Sequence, residues 1–121
     1  MGADGRPVIV VDDEQLVADT IALILRSNGY EALALYDPKS AIAQLETLKP
    51  AIVISDIEMP GMNGVELAVF IQQRYPDCRV ILISGKTDTI DSLDEARRKG
   101  HVFEVLLKPI PPADLLSKIA S

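Results

Sequence analysis

Two apolar runs in this chain end in carboxylates: Pro7 to Val11 leads into Asp12, Asp13 and Glu14, and Ala51 to Ser55 leads into Asp56. A third run, Val80 to Ser84, ends in a hydroxyl, and a fourth, Val102 to Leu107, is followed by Lys108. If the runs lie side by side the carboxylates meet, and two unit charges about 4 Å apart repel by roughly 4 kcal/mol at an effective dielectric of 20. A hard divalent cation compensates such a cluster. Oxygen-only ligands from few side chains suit Mg2+, which keeps several waters and accepts a phosphate oxygen as a further ligand. Ser84 can then hydrogen-bond a phosphoryl oxygen, and the Lys108 ammonium can neutralise its charge.

Taken singly, each residue has an ordinary explanation. An Asp after a strand is often a helix N-cap or turn residue, which fits Asp12 or Asp13 as well as a metal does. Ser84 before Gly85 reads as a turn, Lys108 before Pro109 as a solvated lysine, and Arg97 to Lys99 as the basic end of a helix. Only the combination, at one strand end after another, lacks an ordinary explanation.

The elements that must position these residues follow from patterning. The four apolar runs are continuous and β-branched, as in parallel strands buried on both faces. A weaker stretch, Glu31 to Tyr36, reads as a fifth strand between a helix stop at Asn28 and Gly29 and a turn at Asp37 and Pro38. Helical spacing marks Gln15 to Ser27, Pro38 to Leu48, Val65 to Tyr75, Thr87 to Lys99 and Pro111 to Ala120; in the first, Leu16, Thr20, Ile21, Ile24 and Leu25 form an apolar face. Five alternations of strand and helix predict an α/β, doubly wound domain with right-handed crossovers. In such sheets ligands sit beyond the carboxyl ends of the strands, where the chemistry lies here.

Bulk properties agree. The 121 residues suit one domain, 7–121, after a loose polar end, 1–6, and 48% hydrophobic content supports a core. A net charge of −6 with one short basic stretch gives no electrostatic footprint for direct nucleic-acid binding. The single cysteine, Cys78, and the lack of a signal-peptide pattern point to the cytoplasm, and no apolar run approaches a membrane span.

From Pro7 to the end the chain resembles the response-regulator receiver family: DD after the first strand, D followed by MPGMNG after the third, SG after the fourth and KP after the fifth. The resemblance implies a flavodoxin-like five-stranded parallel sheet in the order 2-1-3-4-5 with five helices. It makes Asp56 the phosphoacceptor, Asp13 a direct Mg2+ ligand, Asp12 a ligand through water, and the Glu58 main-chain carbonyl a further ligand beside Asp56. Ser84 becomes the switch hydroxyl and Lys108 the phosphate-binding lysine, with a cis peptide before Pro109. Such domains catalyse their own phosphorylation and dephosphorylation, take the phosphoryl group from a sensor histidine kinase or phosphotransfer protein, and act as conformational switches. Their usual output surface is the face of the fourth helix, fifth strand and fifth helix. Glu58 and Lys86 would face each other across the site's mouth.

MPGMNG also makes chemical sense as turn chemistry, with Pro60, Gly61, Asn63 and Gly64 curling backbone groups around an ion. The chain departs from the family at Val105, where many members carry Tyr or Phe; Phe103 lies two residues earlier, and an extra residue follows Gly100. A rival reading is a haloacid-dehalogenase-type phosphatase with Asp56 and Glu58 as its two acids, but that family places its nucleophile on the first strand and leaves Asp12 and Asp13 unexplained. A second rival is a receiver-like module that binds without being phosphorylated.

Overall fold

The computed structural model describes residues 5–85 and 90–121, with side chains from residue 93 onward in the second stretch. Strands and helices alternate as β1 (Val8–Val11), α1 (Gln15–Ser27), β2 (Ala32–Leu35), α2 (Pro38–Leu48), β3 (Ile52–Asp56), α3 (Gly64–Arg74), β4 (Arg79–Ser84), α4 (Ile90–Arg98), β5 (Glu104–Leu107) and α5 (Pro112–Ala120). All expected elements are present. Residues 1–4, the expected helix start at Thr87, and Lys86 lie outside the described residues.

The sheet is parallel throughout, in the order β2-β1-β3-β4-β5. β1 therefore lies beside β3, with Val11 opposite Ser55, so that Asp12 and Asp56 leave the same end of adjacent strands. Ile83 is the register partner of Asp56, which places Ser84 one step beyond it.

The sheet has an apolar core on each face. Val8, Val10, Ile52, Ile54, Ile81 and Ile83 pack with α1 and α5, and Ile9, Val11, Val53 and Leu82 pack on the other side with α2 and α3. β1 and β3 are buried along their whole length, as their continuous apolar runs predict. β5 departs from that expectation. It is an edge strand, it begins at Glu104, and Val102 and Leu107 are largely exposed.

Local signals explain where the helices start. Asp37 caps α2 by accepting from the Ser40 N–H at 2.7 Å, with Pro38 in the first turn. Asn63 and Glu66 form a reciprocal capping box at the start of α3. In α1 the buried stripe is Ala18, Ile21, Ala22 and Leu25, whereas Leu16 and Thr20, expected on the apolar face, are exposed. Alanines let α1 lie close to the sheet, and a pattern weighted by large apolar residues passes over them.

Candidate functional site

Three carboxylates converge at the carboxyl edge of the sheet. Asp12, Asp13 and Asp56 each offer a ligand oxygen, all within 4.8 Å of one another. Asp12 and Asp56 are buried and Asp13 is exposed, so the cluster opens to solvent on one side. Lys108 reaches in from the end of β5, its Nζ 3.3 Å from Asp56 Oδ1 and 3.4 Å from Asp12 Oδ2. The Lys108–Pro109 peptide is cis, as the resemblance implied. Behind the side chain, the Lys108 N–H donates to the Ser84 carbonyl at 2.8 Å, which fixes the lysine's backbone to the end of β4.

Ser84 is buried at the end of β4. Glu58 is half-buried in the loop after β3. Its proposed partner Lys86 is outside the described residues, so the facing pair has no structural account.

Electrostatics mark Asp56 as the least comfortable charge. Burial, with the neighbouring Asp12 charge, pushes its carboxyl up to about 6, although Lys108 pulls the other way. Burial also raises the Asp12 carboxyl, opposed by the Glu14 N–H and by Lys108. Burial lowers the Lys108 ammonium's affinity for its proton, but the Asp56 and Asp12 charges together outweigh it and the net shift is upward. Among the described residues, one lysine set against three carboxylates leaves the cluster with a net negative charge. An all-oxygen donor set with that deficit fits a hard divalent cation.

Asp12 also has the ordinary role foreseen for it. Its Oδ1 accepts from the Glu14 N–H at 3.0 Å, holding the turn into α1, whose own N-cap Glu14 makes no side-chain capping bond. The basic run likewise ends α4, with Arg97 and Arg98 in its last turn. Gly64 corrects the reading of MPGMNG as turn chemistry throughout. It is not a turn residue but the first residue of α3, packed on the Asp56 backbone. Gly61, with φ of +85°, does have a turn role.

Val105 is partly buried against the α2 and α3 side of the core, while Phe103 stacks on His101 with ring centroids 6.2 Å apart. His101 Nδ1 lies 3.1 Å from Gln72 Oε1, which ties this ring pair to α3.

Fold and site together define a doubly wound α/β domain with an acidic pocket at its strand ends. The family model for the response regulator receiver domain matches residues 8–120, and the chain belongs to that family, the receiver domains of two-component response regulators. It is 25% identical over 112 residues to the DNA-binding response regulator MtrA of Mycobacterium tuberculosis, covering 93% of this chain and 48% of that protein. The chain thus spans about half the length of the curated relatives it matches.

Among solved structures it resembles a CheY-like response regulator receiver domain protein from Methanospirillum hungatei, with a TM-score of 0.85, 26% identity, and coverage of 94% of this chain and 90% of that one. The receiver domain of NtrX from Brucella abortus gives a TM-score of 0.80 at 30% identity, over 93% and 97% of the two chains. The haloacid-dehalogenase reading is set aside by this membership and by Asp56 lying on β3.

Proposed function

We propose that residues 7–121 form a phosphorylation-driven switch in which Asp56 accepts a phosphoryl group from a phosphohistidine on a sensor histidine kinase or phosphotransfer protein. The observation that carries this reading is the meeting of Asp12, Asp13 and Asp56 within 4.8 Å, with Lys108 Nζ 3.3 Å from Asp56. One Asp56 carboxylate oxygen attacks phosphorus. A P–O bond forms, the P–N bond to the donor imidazole breaks, and its electron pair stays on the imidazole nitrogen.

Lys108 offsets charge on the transferring phosphoryl oxygens, and the Ser84 hydroxyl hydrogen-bonds one of them. Asp13 would hold Mg2+ directly and Asp12 through water, together with Asp56 and the Glu58 carbonyl. When bound, that ion supplies positive charge that offsets the carboxylates and the phosphoryl oxygens alike. Loss of phosphoryl to water resets the domain, so its chemistry acts on itself and serves signalling rather than substrate turnover.

An apolar groove lined by Leu16, Val17, Ile24, Pro109 and Ile110 adjoins Lys108, and we place the donor protein against it. The output is read from the face of α4, β5 and α5 by a downstream partner. Direct DNA contact is not assigned to this segment, whose charge is negative. Among the described residues no helix is long and apolar enough to cross a membrane, which is compatible with the cytoplasmic setting proposed here.

The test is intact-mass analysis after incubation with acetyl phosphate or phosphoramidate and Mg2+. Wild type gains one phosphoryl group, and chelation of the metal prevents it. Unchanged labelling of Asp56→Asn would overturn the assignment, and no labelling of wild type would favour a module that only binds.

A further inference from the structure

Gly64 touches the site from behind. A Cβ placed on it would collide with the Asp56 carbonyl oxygen and lie 2.8 Å from Ile57 Cα and 2.9 Å from the Asp56 carbonyl carbon. Ordinary non-bonded contacts are about 3.5–4.0 Å, so no side chain fits without moving backbone. The Gly64 N–H also donates to the Ile57 carbonyl at 2.8 Å, so the helix terminus and the end of β3 are bonded as well as touching. Positive φ plays no part: Gly61, Gly29 and Gly100 have it and Gly64 does not.

The helix is not free to withdraw. Asn63 Oδ1 accepts from the Glu66 N–H at 2.9 Å, and Glu66 Oε1 accepts from the Asn63 N–H at 3.0 Å, which fixes the first turn. Val65, Leu67, Ala68 and Ile71 are buried along its length. A bulkier residue at 64 would therefore push on the other partner, the Asp56–Ile57 peptide, from which the Asp56 carboxylate projects toward Lys108.

We infer that Gly64 is a positioning residue for phosphoryl transfer: its missing side chain seats the start of α3 on the Asp56 backbone and so aims the Asp56 carboxylate. The inference rests on Asp56 being the acceptor. It adds that the aim of the carboxylate is set from outside the acidic cluster, by the packing of a helix end.

The experiment compares labelling rates with saturating acetyl phosphate and Mg2+ in wild type, Gly64→Ala, Asn63→Ala/Glu66→Ala, and the triple variant, with folding checked by circular dichroism and amide NMR. A displacement near 1 Å predicts a fall on the order of a hundredfold for folded Gly64→Ala. Breaking the capping box frees the helix end to retreat, so the triple variant should label faster than Gly64→Ala alone. A residue that mattered only for stability would give the opposite order, because losing the cap adds a second destabilisation.

If Gly64→Ala does not fold in buffer, the same comparison is made in trimethylamine oxide, which strengthens burial without touching the site. Folded Gly64→Ala labelling within about twofold of wild type, or a triple variant slower than the single, overturns the inference. Failure of the acceptor assignment shows up separately, as unlabelled wild type or labelled Asp56→Asn.

Discussion

Arg79→Met should cost the domain about 2 kcal/mol without altering its phosphorylation chemistry. Arg79 opens β4 at the end of the strand remote from Ser84, and its guanidinium is a bidentate partner of Glu104, with Nε donating to Oε2 at 2.7 Å and Nη2 to Oε1 at 2.6 Å. The same group caps α5, Nη2 donating to the Lys118 carbonyl at 2.8 Å and Nη1 to that of Ile119 at 3.2 Å. Charge-assisted bonds contribute about 1.5–3 kcal/mol and neutral ones about 1, each net of water. The side chains are 26% and 35% exposed, and exposed pairs contribute only about 0–1 kcal/mol, so the sum is discounted to about 2. Methionine keeps most of the aliphatic stem and removes the fork. In urea, with a slope of about 1–3 kcal/mol per molar, the midpoint should fall by roughly 1 M at unchanged slope. Arg79→Lys, which keeps charge but not the planar fork, should fall between the two. A midpoint within about 0.3 M of wild type for Arg79→Met, or full recovery in Arg79→Lys, would refute the reasoning.

Two further expectations concern the acidic cluster. Because the Asp56 carboxyl is raised from 3.8 to about 6 in the folded state, folding favours its protonated form. Metal-free protein should therefore gain up to about 3 kcal/mol from this group as pH falls from above 6 toward 3.8, a gain that Asp56→Asn abolishes. Urea midpoints in EDTA at pH 7.5 and 5 should show a little under half of it, about 1.4 kcal/mol, and an equal pH dependence in the Asn variant would contradict it. Lys108→Met should raise the Asp56 carboxyl further still, since a cation 3.3 Å away is lost; carboxyl carbon NMR titration reads this, and an unmoved midpoint would show that Lys108 does not act on Asp56.

Part of the site was legible in the sequence because a parallel sheet collects strand ends at one edge, but which ends are neighbours was not: that Asp12 and Asp56 leave adjacent strands followed from the strand order the family resemblance implies, not from their positions. Other features were hidden for physical reasons. A glycine that must lack a side chain looks the same in sequence as one that must turn, so Gly64 passed as part of a loop. The Arg79–Glu104 pair depends on the register that sets Ile81 opposite Glu104, and nothing local announces it. In α1, Ala18 and Ala22 carry little apolar signal although they form the packed stripe, and Leu16 carried too much. The run Val102 to Leu107 looked like a buried strand because composition does not reveal which strand lies at the edge.

The order of the elements along the chain separates the carboxylates from their lysine. β1, β2 and β3 are complete once Asp56 has been made, and β4 once Ser84 has, so every carboxylate of the cluster precedes its cation along the chain. Lys108 arrives with the last strand, at the exposed flank of the sheet. A nascent chain that has emerged only as far as Ser84 holds the cluster's mutual repulsion with no lysine to offset it. Pairing of β5 with β4 thus brings the last backbone ladder and the lysine of the pocket together, on one edge strand.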